Sequence, residues 1–423
     1  MLVLEDRDIS MLRGDEGHSR QLAMEIIVEL GKALDAPCLV DIASVHIDGC
    51  VYAGRAGLEF TELLSQGGAQ VKVPTTLNVG LLDLLRPRLW AGSLDTANAA
   101  RRLMTLYVAM GCQPTFTCAP YQLPKRPLFG SHIAWAESNA IAFANSVLGA
   151  RTERYGDSFD ILAALTGRVP NTGLHVTKNR RAEIVFRLQD IPKRLLAEDV
   201  FFQVLGYYVG FRAEALVPAI TGIPQSVTED QMKAFGAAAA SSGSIALFHF
   251  IGATPEALTI DSALQGAKGV PEIFVTMQDI IRTKDSLISD NLGQLSAVSI
   301  GTPHFSITEF DALRTLLDSR SIHPNIAFYV TTGRYVREQI QSLGWLSELE
   351  LAGVQIVTDT CLYFAPLVNF RGGTVLTNSA KWAHYGPDHQ GVKVAFGSLA
   401  QCVESAIAGK LVLDVDLWLD VHS

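Results

Sequence analysis

The stretch Gly111–Arg154 reads GCQPTFTCAPYQLPKRPLFGSHIAWAESNAIAFANSVLGARTER, and the rest of the chain is interpreted from it. It begins with a loop that contains two thiols, Cys112 and Cys118, and four prolines, which keep the loop out of regular secondary structure. A helix is predicted over Glu137–Leu148, and a turn rich in arginine and threonine comes next at 149–154. The loop can therefore aim its thiols at one point beside the start of the helix.

One face of this predicted helix carries small or polar side chains. Ser138, Ala142, Asn145 and Gly149 recur every three or four residues, which places them on the same face. Such a face allows either another helix or a ligand to approach the backbone closely. The thiols before the helix and the arginines after it favour the ligand interpretation.

Composition and charge limit the classes of protein that remain. The 423 residues are 48% hydrophobic and 18% charged, and the formal net charge is −9, with no run of basic residues. The N-terminus lacks the apolar segment of a signal peptide, and the most apolar run, 200–211, is shorter than the ~20 residues that a membrane span requires. We therefore expect a cytoplasmic protein with neither nucleic acid nor membrane as a partner.

Predicted strands and helices alternate along the chain, which indicates an α/β fold with mainly parallel sheets. Strands are predicted at 38–45, 71–73, 182–188, 245–251, 297–300, 326–330 and 354–357, with helices between them. The chain is divided into three subdomains: 1–180, which holds the thiol loop and the Glu137–Leu148 helix, 181–290, and 291–423, which holds Cys361 and Cys402.

Polar clusters come directly after several of these strands. They are His46-Ile47-Asp48-Gly49, Pro74-Thr75-Thr76-Leu77-Asn78, Gly301-Thr302-Pro303-His304-Phe305-Ser306 and Thr358-Asp359-Thr360-Cys361. The carboxyl ends of parallel strands are where α/β folds bind ligands. Each cluster alone is also compatible with an ordinary capped turn.

The six cysteines are widely spaced, and a free structural thiol is the default interpretation for each of them. Cys118 and Cys361 lie in loops, and Cys402 lies near the start of a predicted helix, where a thiolate is favoured. Three soft thiolates without a fourth suit an iron–sulfur cluster with one open iron better than a closed zinc site. No C-x-x-C motif strengthens this hypothesis.

Several enzyme classes lack their minimum motif in this sequence. There is no phosphate-binding G-x-x-x-x-G-K-[ST], no G-x-G-x-x-G after a strand, no G-x-S-x-G and no H-E-x-x-H. Nucleotide-dependent and serine-hydrolase functions are therefore not supported.

Twelve blocks in order along residues 1–410 resemble the large subunit or large domain of the aconitase X family. The blocks are VHIDG, GLEF, VPTTLN, TCAPY, AWAESNAIAFANSVLGARTER, LTGRVP, GLH, GATPEA, GTPHFS, VTDTC, TNSAKWAHY and FGSLAQCVESAIAG. The resemblance implies an aconitase-like fold of several subdomains and an iron–sulfur cluster held by Cys118, Cys361 and Cys402, with Cys112 structural. The cluster type stays open, and a mononuclear iron is an alternative.

The resemblance also implies a partner. The aconitase-type fold is completed by a small swivelling domain, which in this family is either fused or a separate subunit, and its glycine- and serine-rich loop is missing from this sequence. We therefore expect a heterodimer with a small subunit. That subunit would supply part of the site, including a candidate serine base.

The implied reaction is dehydration of a small hydroxy acid, in which open iron acts as a Lewis acid and a base removes the proton next to the carboxylate. Candidate catalytic residues are His46, Asp48, Glu137 and Lys381. Candidate substrate-binding residues are Thr75, Thr76, Asn78, Ser138, Asn139, Arg151, Thr152, Arg154, His304 and Ser306. His304 is also an acid or base candidate.

Each of these assignments has a structural alternative. Arg151 and Arg154 can bind an oxyanion through two hydrogen bonds, but each can instead form a salt bridge between elements. Glu137 can cap its helix or hold an arginine, and an isolated histidine is often structural.

Two substrates are associated with the family, and the residues do not decide between them. We favour cis-3-hydroxy-L-proline, dehydrated to 1-pyrroline-2-carboxylate, over mevalonate 5-phosphate, whose phosphate Arg151, Arg154 and Lys381 could bind. The alternative from a different class is a metal-free binding or scaffold protein that keeps the fold.

Overall fold

The computed structural model describes residues 2–366, 370, 373–413 and 416–418. Among these residues, every strand pairing except β1 with β5 is parallel, which confirms the predicted α/β class. The predicted end of the third subdomain, 419–423, lies outside the described residues. No described helix has the length and apolar character needed to cross a bilayer.

The first region of the chain carries two small sheets. Its elements are α1 Asp6–Leu12, α2 His18–Ala33, β1 Leu39–Asp41, β2 Val45–Ile47, α3 Arg55–Gln66, β3 Thr75–Leu77, α4 Leu94–Ala109, β4 Ala134–Trp135, α5 Ser138–Ser146, α6 Phe159–Thr166 and β5 Arg168–Pro170. One sheet has the order β3-β2-β4, and the other pairs β1 with β5. Because β2 is the central strand of the first sheet, the residues after β2 lie between the ends of the other two strands.

The second and third regions each carry one sheet. The second contains β6 Ile184–Leu188, α7 Asp199–Ala213, β7 Pro218–Thr221, α8 Glu229–Ser242, β8 His249–Phe250, α9 Ile260–Leu264, β9 Glu272–Val275 and α10 Met277–Ser286, with strand order β8-β7-β6-β9. The third contains β10 Leu295–Ile300, α11 Ile307–Leu317, β11 Ala327–Thr331, α12 Arg334–Ser342, α13 Trp345–Leu351, β12 Val354–Val357, β13 Thr374–Thr377, α14 Ala380–Gln390, β14 Lys393–Phe396 and α15 Leu399–Ala408, with order β12-β11-β10-β13-β14.

Two strand predictions in the first region were wrong in detail. The segment 71–73 is not a strand; the strand is Thr75–Leu77, because pairing with β2 begins only after Pro74. The predicted strand 38–45 is two short strands, β1 and the start of β2, which belong to different sheets. An apolar run marks a buried segment, but it does not fix where the backbone pairing begins.

The small face of α5 has two uses in the structure. A Cβ atom added at Gly236 of α8 would lie 3.5 Å from Ala142 Cβ, so this part of the face is a close helix contact. Asn145 is buried and its amide bonds Thr152 O and Ala246 O, both at 2.9 Å. Of this predicted face, Ser138 alone lines a cavity, which lies at the edge of the β3-β2-β4 sheet.

A buried ion-pair cluster joins α8 of the second region to α11 of the third. Lys233 Nζ lies 2.8 Å from Asp230 Oδ1 and also contacts Glu309 Oε2. Asp230 accepts further hydrogen bonds from the hydroxyls of Ser306 and Thr308, at 2.8 and 2.5 Å. The cluster therefore satisfies its own polar atoms and fixes the two helix starts relative to each other.

A candidate metal and substrate site

Residues of two predicted polar clusters, together with Glu137, meet where the strands of the β3-β2-β4 sheet end. Asp48 comes directly after β2, Asn78 directly after β3, and Glu137 lies two residues after β4. All three line one cavity of about 610 Å³, and the Asn78 amide donates a hydrogen bond to Asp48 Oδ1. The convergence results from parallel pairing, because parallel strands end at the same edge of a sheet.

Asp48 is a partly buried carboxyl with few compensating contacts. Burial, together with the nearby carboxylates of Glu137 and Asp157, raises its pKa to about 7, and the Asn78 amide opposes this shift. Asp160 approaches from the other side and accepts the backbone N–H of Asp48 at 2.6 Å. A carboxyl with a pKa near neutrality can both accept and return a proton.

Glu137 and Lys381 form a buried ion pair on the cavity wall. Lys381 Nζ lies 2.6 Å from Glu137 Oε1, and each side chain is 6% exposed. Glu137 is also the N-cap of α5, since its side chain accepts from Ala140 N at 2.8 Å, as the capping alternative predicted. Burial disfavours a charged amine, but Glu137 and Tyr363 outweigh burial and hold the pKa of Lys381 well above its ordinary value.

Cys118, Cys361 and His304 bring three soft donor atoms together. The two Sγ atoms are 4.0 Å apart, and these atoms and a ring nitrogen of His304 all lie within 4.8 Å of one another. The neighbouring Cys118 thiol and then burial raise the pKa of Cys361 well above its ordinary value. Burial lowers the pKa of His304 to about 4, so its ring is neutral at pH 7.

The loop before Cys118 is held by hydrogen bonds to the sheet and to α5. Thr117 N donates to Leu77 O at 3.1 Å, and Thr117 Oγ1 lies 3.0 Å from His304 Nδ1. Asn139 Nδ2 donates to Cys118 O at 2.9 Å, so this residue orients the thiol loop. Asn139 is therefore a support of the thiol, whereas the sequence predicted it as a substrate contact.

The loop of Cys361 is fixed to the first region by backbone contacts. Thr358 N donates to Asp83 Oδ2 at 3.1 Å, and Gly80 N donates to Asp359 O at 2.7 Å. Asp359 has a φ of +64° and pairs with Arg334 at 2.7 Å. A left-handed aspartate held in this way turns the chain sharply at the end of β12, which directs Cys361 towards Cys118.

This donor set fits a metal or iron–sulfur group. Thiolate sulfur and neutral imidazole are ligands for iron and zinc, and a bound cation would allow both thiols to be deprotonated in a buried site. His304 Nδ1 lies 3.0 Å from Thr117 Oγ1 and Nε2 lies 3.3 Å from Thr360 O, so whichever nitrogen binds a metal, the other keeps an oxygen partner, as metal-ligating histidines usually do. His304, predicted as a substrate or acid–base residue, thus stands beside the thiols.

Cys402 is not part of this donor group. It lies on α15, is fully buried, and belongs to an apolar cluster that includes Leu376 and Val403. The predicted set of three thiolates is therefore not brought together. Its helix does begin where the sequence indicated, at the N-cap Ser398, but the side chain faces the core of the third region.

Several predicted site residues make contacts away from the cavity lining. His46 is buried and its Nδ1 lies 2.8 Å from Thr76 Oγ1, while burial lowers the pKa of the ring to about 3. Thr75 Oγ1 donates to Val73 O, and Thr152 Oγ1 accepts from Trp135 N. These residues support the sheet edge and do not line the cavity.

The remaining candidates are divided between the cavity and other surfaces. Arg154 and Ser138 line the cavity, and the Arg154 guanidinium has no ion-pair partner among the described residues. Arg151 donates to His175 O at 2.9 Å, which is a structural contact. Ser306 caps α11 and lines a different cavity with Asp230.

The cavity contains residues that the sequence did not indicate. They include Tyr155, Asp157, Tyr363, Tyr385 and His389. Thr302 also lines the cavity, and it lies in the predicted polar cluster 301–306. The blocks that carried the family resemblance contained Tyr385, but no spacing or motif distinguished it from its neighbours. Only the folded chain brings them to the same wall.

Comparisons with family models match nearly the whole chain. The model described as the aconitase X first domain matches residues 1–178, the second domain matches 182–285 and the third domain matches 295–408.

Similar proteins of two kinds are found. Cis-3-hydroxy-L-proline dehydratase of Pseudomonas aeruginosa is 41% identical over 98% of this chain and 72% of its own length; that of Hypocrea jecorina is 42% identical over 96% and 69%. The phosphomevalonate dehydratase large subunit of Methanothermobacter thermautotrophicus is 36% identical over 93% of this chain and 96% of its own length.

A solved structure has the same fold. The crystal structure of aconitase X from Thermococcus kodakaraensis, in its holo form, superimposes with a TM-score of 0.84 at 32% identity. The match covers 96% of this chain and 100% of that one. The predicted aconitase-like fold is therefore confirmed.

Proposed function

Because this chain belongs to the aconitase X family, we propose that it is the large subunit of a hydro-lyase that dehydrates cis-3-hydroxy-L-proline to 1-pyrroline-2-carboxylate. The relatives with this name are 41% and 42% identical, and the phosphomevalonate dehydratase large subunits are more distant, at 36% or less. Sequence identity to the two kinds of relatives does not by itself decide the substrate. The proposal therefore rests mainly on the charges of the cavity.

The cavity offers charges of both signs close together, which suits a zwitterion. Its acidic residues are Asp48, Glu137 and Asp157, and its lysine and arginine residues are Lys381 and Arg154. Lys381 is already paired with Glu137, so Arg154 is left as the single unpaired cation of the described lining. A cyclic imino acid carries one carboxylate and one ammonium, whereas mevalonate 5-phosphate carries a carboxylate and a phosphate and requires more cations than acids.

Within this site we assign proton transfer to Asp48. The proton next to the substrate carboxylate moves to Asp48, the C–O bond of the neighbouring carbon breaks, and the departing hydroxide becomes water when Asp48 gives up the proton that it accepted. The enamine that remains becomes 1-pyrroline-2-carboxylate when a proton moves from nitrogen to carbon. The pKa of about 7 supports this role, because it permits both uptake and release of the proton near neutral pH.

Cys118, Cys361 and His304 are the residues that we propose to hold an iron–sulfur group or a mononuclear iron. When bound, that group supplies a Lewis acid for departure of the hydroxyl. The predicted ligand Cys402 is replaced by His304 in this proposal, because His304 and not Cys402 is close to the other two donors. Asn139 holds the Cys118 loop through a hydrogen bond to Cys118 O, and Thr117 Oγ1 contacts His304 Nδ1.

We further propose that a small partner subunit closes the cavity and forms a heterodimer with this chain. The chain covers 96% of a relative named as a large subunit but 72% of a hydroxyproline dehydratase, so that dehydratase has a part with no counterpart in the match. A cytoplasmic location is consistent with six cysteines that are all unpaired.

The deciding experiment is anaerobic co-expression with the small partner, and then assays with both substrates. Turnover of cis-3-hydroxy-L-proline supports the proposal, and turnover of mevalonate 5-phosphate alone contradicts it in favour of the second enzyme. The variant Cys361→Ala should lose iron and activity, while Cys402→Ala, a matched core cysteine, should keep both. Equal iron content and activity in Cys361→Ala and wild type would contradict the ligand role of Cys361. A wild type with neither iron nor activity on either substrate would support the binding or scaffold role.

A further inference from the structure

Three side chains form a continuous chain of hydrogen bonds that starts at the cavity wall. Tyr155 lines the cavity, and its hydroxyl oxygen lies 2.5 Å from His175 Nε2. On the other side of the same ring, His175 Nδ1 lies 2.9 Å from His132 Nδ1. His175 is 1% exposed, whereas His132 is half-buried. The chain therefore crosses from the cavity wall through the interior towards solvent.

The chain has two complete hydrogen-bond arrangements, because a neutral imidazole has one N–H and one acceptor nitrogen. In the first arrangement, Tyr155 donates to His175 Nε2, and His175 Nδ1 donates to His132 Nδ1. In the second arrangement, His132 Nδ1 donates to His175 Nδ1, and His175 Nε2 donates to the oxygen of Tyr155. The passage of one proton along the chain converts either arrangement into the other.

Both rings are neutral at pH 7. Burial lowers the pKa of His175 to about 3 and lowers the pKa of His132 as well. Arg151 and Arg180 act on both rings in the same direction. A ring that is costly to charge gives up a proton at one nitrogen as it takes one at the other. The surroundings thus favour concerted transfer along the chain over a charged intermediate.

The proposed reaction includes a proton transfer that has no residue assigned to it. After the hydroxyl has left, a proton must move from the ring nitrogen to the carbon that carried the hydroxyl. Only one carbon separates these two atoms, so direct transfer would be strongly bent, and a group on the cavity wall must accept and return a proton. Asp48 is engaged at the neighbouring carbon and passes its proton to the departing hydroxide.

We propose that Tyr155 catalyses this nitrogen-to-carbon transfer, with His175 and His132 as a relay behind it. The N–H bond breaks as its proton moves to the Tyr155 oxygen. The phenol proton moves to His175 Nε2, the Nδ1 proton of His175 moves to His132, and His132 releases one proton to solvent. The same steps in reverse form the new C–H bond, so the chain returns to its starting arrangement. This assignment rests on the proposed function, because it requires a substrate with a ring nitrogen.

The first test follows the new hydrogen of the product. The assembled enzyme acts in D2O, samples are quenched at short times into borohydride, and NMR of the isolated L-proline shows which face of the former hydroxyl-bearing carbon holds deuterium. The wild type should label one face, because the carbon is protonated while it is bound. Tyr155→Phe should release the enamine, which takes up deuterium in solution on both faces about equally. Labelling of one face by this variant overturns the proposal.

A matched control separates the relay from a general effect of losing a phenol. Tyr155→Phe keeps the ring stacked on Phe159, whose centroid is 4.5 Å away. Tyr207→Phe also removes a hydroxyl bonded to a histidine, at 2.9 Å from His384 Nδ1, and neither of these two residues lines the described cavity. Tyr207→Phe should label one face as the wild type does, and loss of selectivity in this variant overturns the assignment to Tyr155.

The second test opens the outer end of the relay. His132→Ala should lose much of the selectivity for one face, because slower protonation lets the enamine escape. Imidazole added to the solvent should restore the selectivity, since it can replace the missing ring. Pyrrole has a similar shape but no acceptor nitrogen and should not restore it. Unchanged selectivity in His132→Ala, or equal recovery with pyrrole, overturns the relay, because the ring would then have only a structural role.

Failure of the reaction and failure of the relay are distinguishable. A wild type that forms no product from cis-3-hydroxy-L-proline overturns the proposed reaction and the relay with it. An active wild type whose Tyr155→Phe variant still labels one face overturns the relay alone, and the reaction stands.

Discussion

Two buried lysines in this chain have nearly the same chemistry and different surroundings. Lys381 pairs with Glu137 at 2.6 Å, and Lys233 pairs with Asp230 at 2.8 Å and with Glu309. Each cluster links the starts of two helices, and each lysine is at most 6% exposed. By charge, burial and position in the fold the two are close to equivalent.

The difference lies in the polar atoms around them. Asp230, beside Lys233, also takes hydrogen bonds from Ser306 and Thr308, so that cluster is complete. Lys381 instead lines a cavity that also contains the carboxyl of Asp48 and the thiols of Cys118 and Cys361. A buried ion pair is therefore no evidence of a site by itself, and the reactive groups that share its cavity are the better evidence.

The largest expected difference between the two lysines is in turnover. Lys381→Met should lower kcat/KM by about a hundredfold or more, because it removes a charged contact from the substrate cavity. Lys233→Met should leave kcat within about twofold at a temperature where both variants are folded. Steady-state assays of the two variants side by side make this comparison, and equal losses would remove the distinction.

The two lysines should contribute similar amounts to the free energy of unfolding. Breaking a buried pair by removing one partner costs about 3–5 kcal/mol, so both methionine variants should unfold at lower denaturant concentration. Adding Glu137→Gln to Lys381→Met should recover part of the unfolding free energy without recovering activity. If the double variant regains activity, the charge of Lys381 has no role in the reaction.

Protonation should separate the two clusters further. Burial raises the pKa of Asp48 to about 7, whereas the pKa of Asp230 is lowered because Lys233 outweighs its burial. Between about pH 4 and pH 7 the folded chain binds the Asp48 proton that the unfolded chain has lost, so stability falls as pH rises through this range, by up to about 4 kcal/mol.

The variant Asp48→Asn should lose this slope and gain stability relative to wild type at pH 8. Denaturant titrations of both proteins at pH 5 and pH 8 measure the effect. Asp230→Asn should show no such gain at pH 8, because its carboxylate is stabilised in the fold. Parallel pH profiles of wild type and Asp48→Asn would contradict the assignment.

The smallest expected effect concerns the hydroxyls next to each lysine. Ser138 Oγ lies 3.4 Å from Lys381 Nζ, so Ser138→Ala should reduce kcat/KM only about two- to tenfold. Thr308→Val, which removes a hydroxyl from the Lys233 cluster, should leave kcat/KM unchanged. A loss in Thr308→Val that equals the loss in Ser138→Ala would show that both clusters influence the cavity.

The part of the site that could be predicted depends on strand ends. Asp48 and Asn78 follow predicted strands, and parallel strands of one sheet end at one edge, so the sequence could indicate that they meet. Glu137 joins them after β4, a two-residue strand that the sequence did not indicate. Cys361 comes after β12 in the same way. The strand predicted at 71–73 was misplaced, but the prediction that Asn78 is a site residue does not depend on it. That prediction rests on the polar cluster 74–78, which follows the strand.

The part that could not be predicted depends on side-chain direction. FGSLAQC correctly indicates a helix start, but which face of α15 meets the core is set by tertiary packing with residues such as Leu376 and Ala395, and Cys402 is buried in that cluster. His304 is near the thiols only because its loop crosses to Cys118, where its backbone N–H contacts Sγ at 3.3 Å. Thr302 lies in a predicted polar cluster, but the sequence did not single it out within that cluster.

The separation of the two thiols along the chain has a consequence for how the protein is made. Cys361 is 243 residues after Cys118, and the loops that aim them are tied together by Asp83 with Thr358 and by Gly80 with Asp359. During translation, Cys118 is therefore synthesised long before Cys361. The proposed metal group, which needs both thiols, can therefore bind only after β12 has formed and the Cys361 loop has docked on the first region.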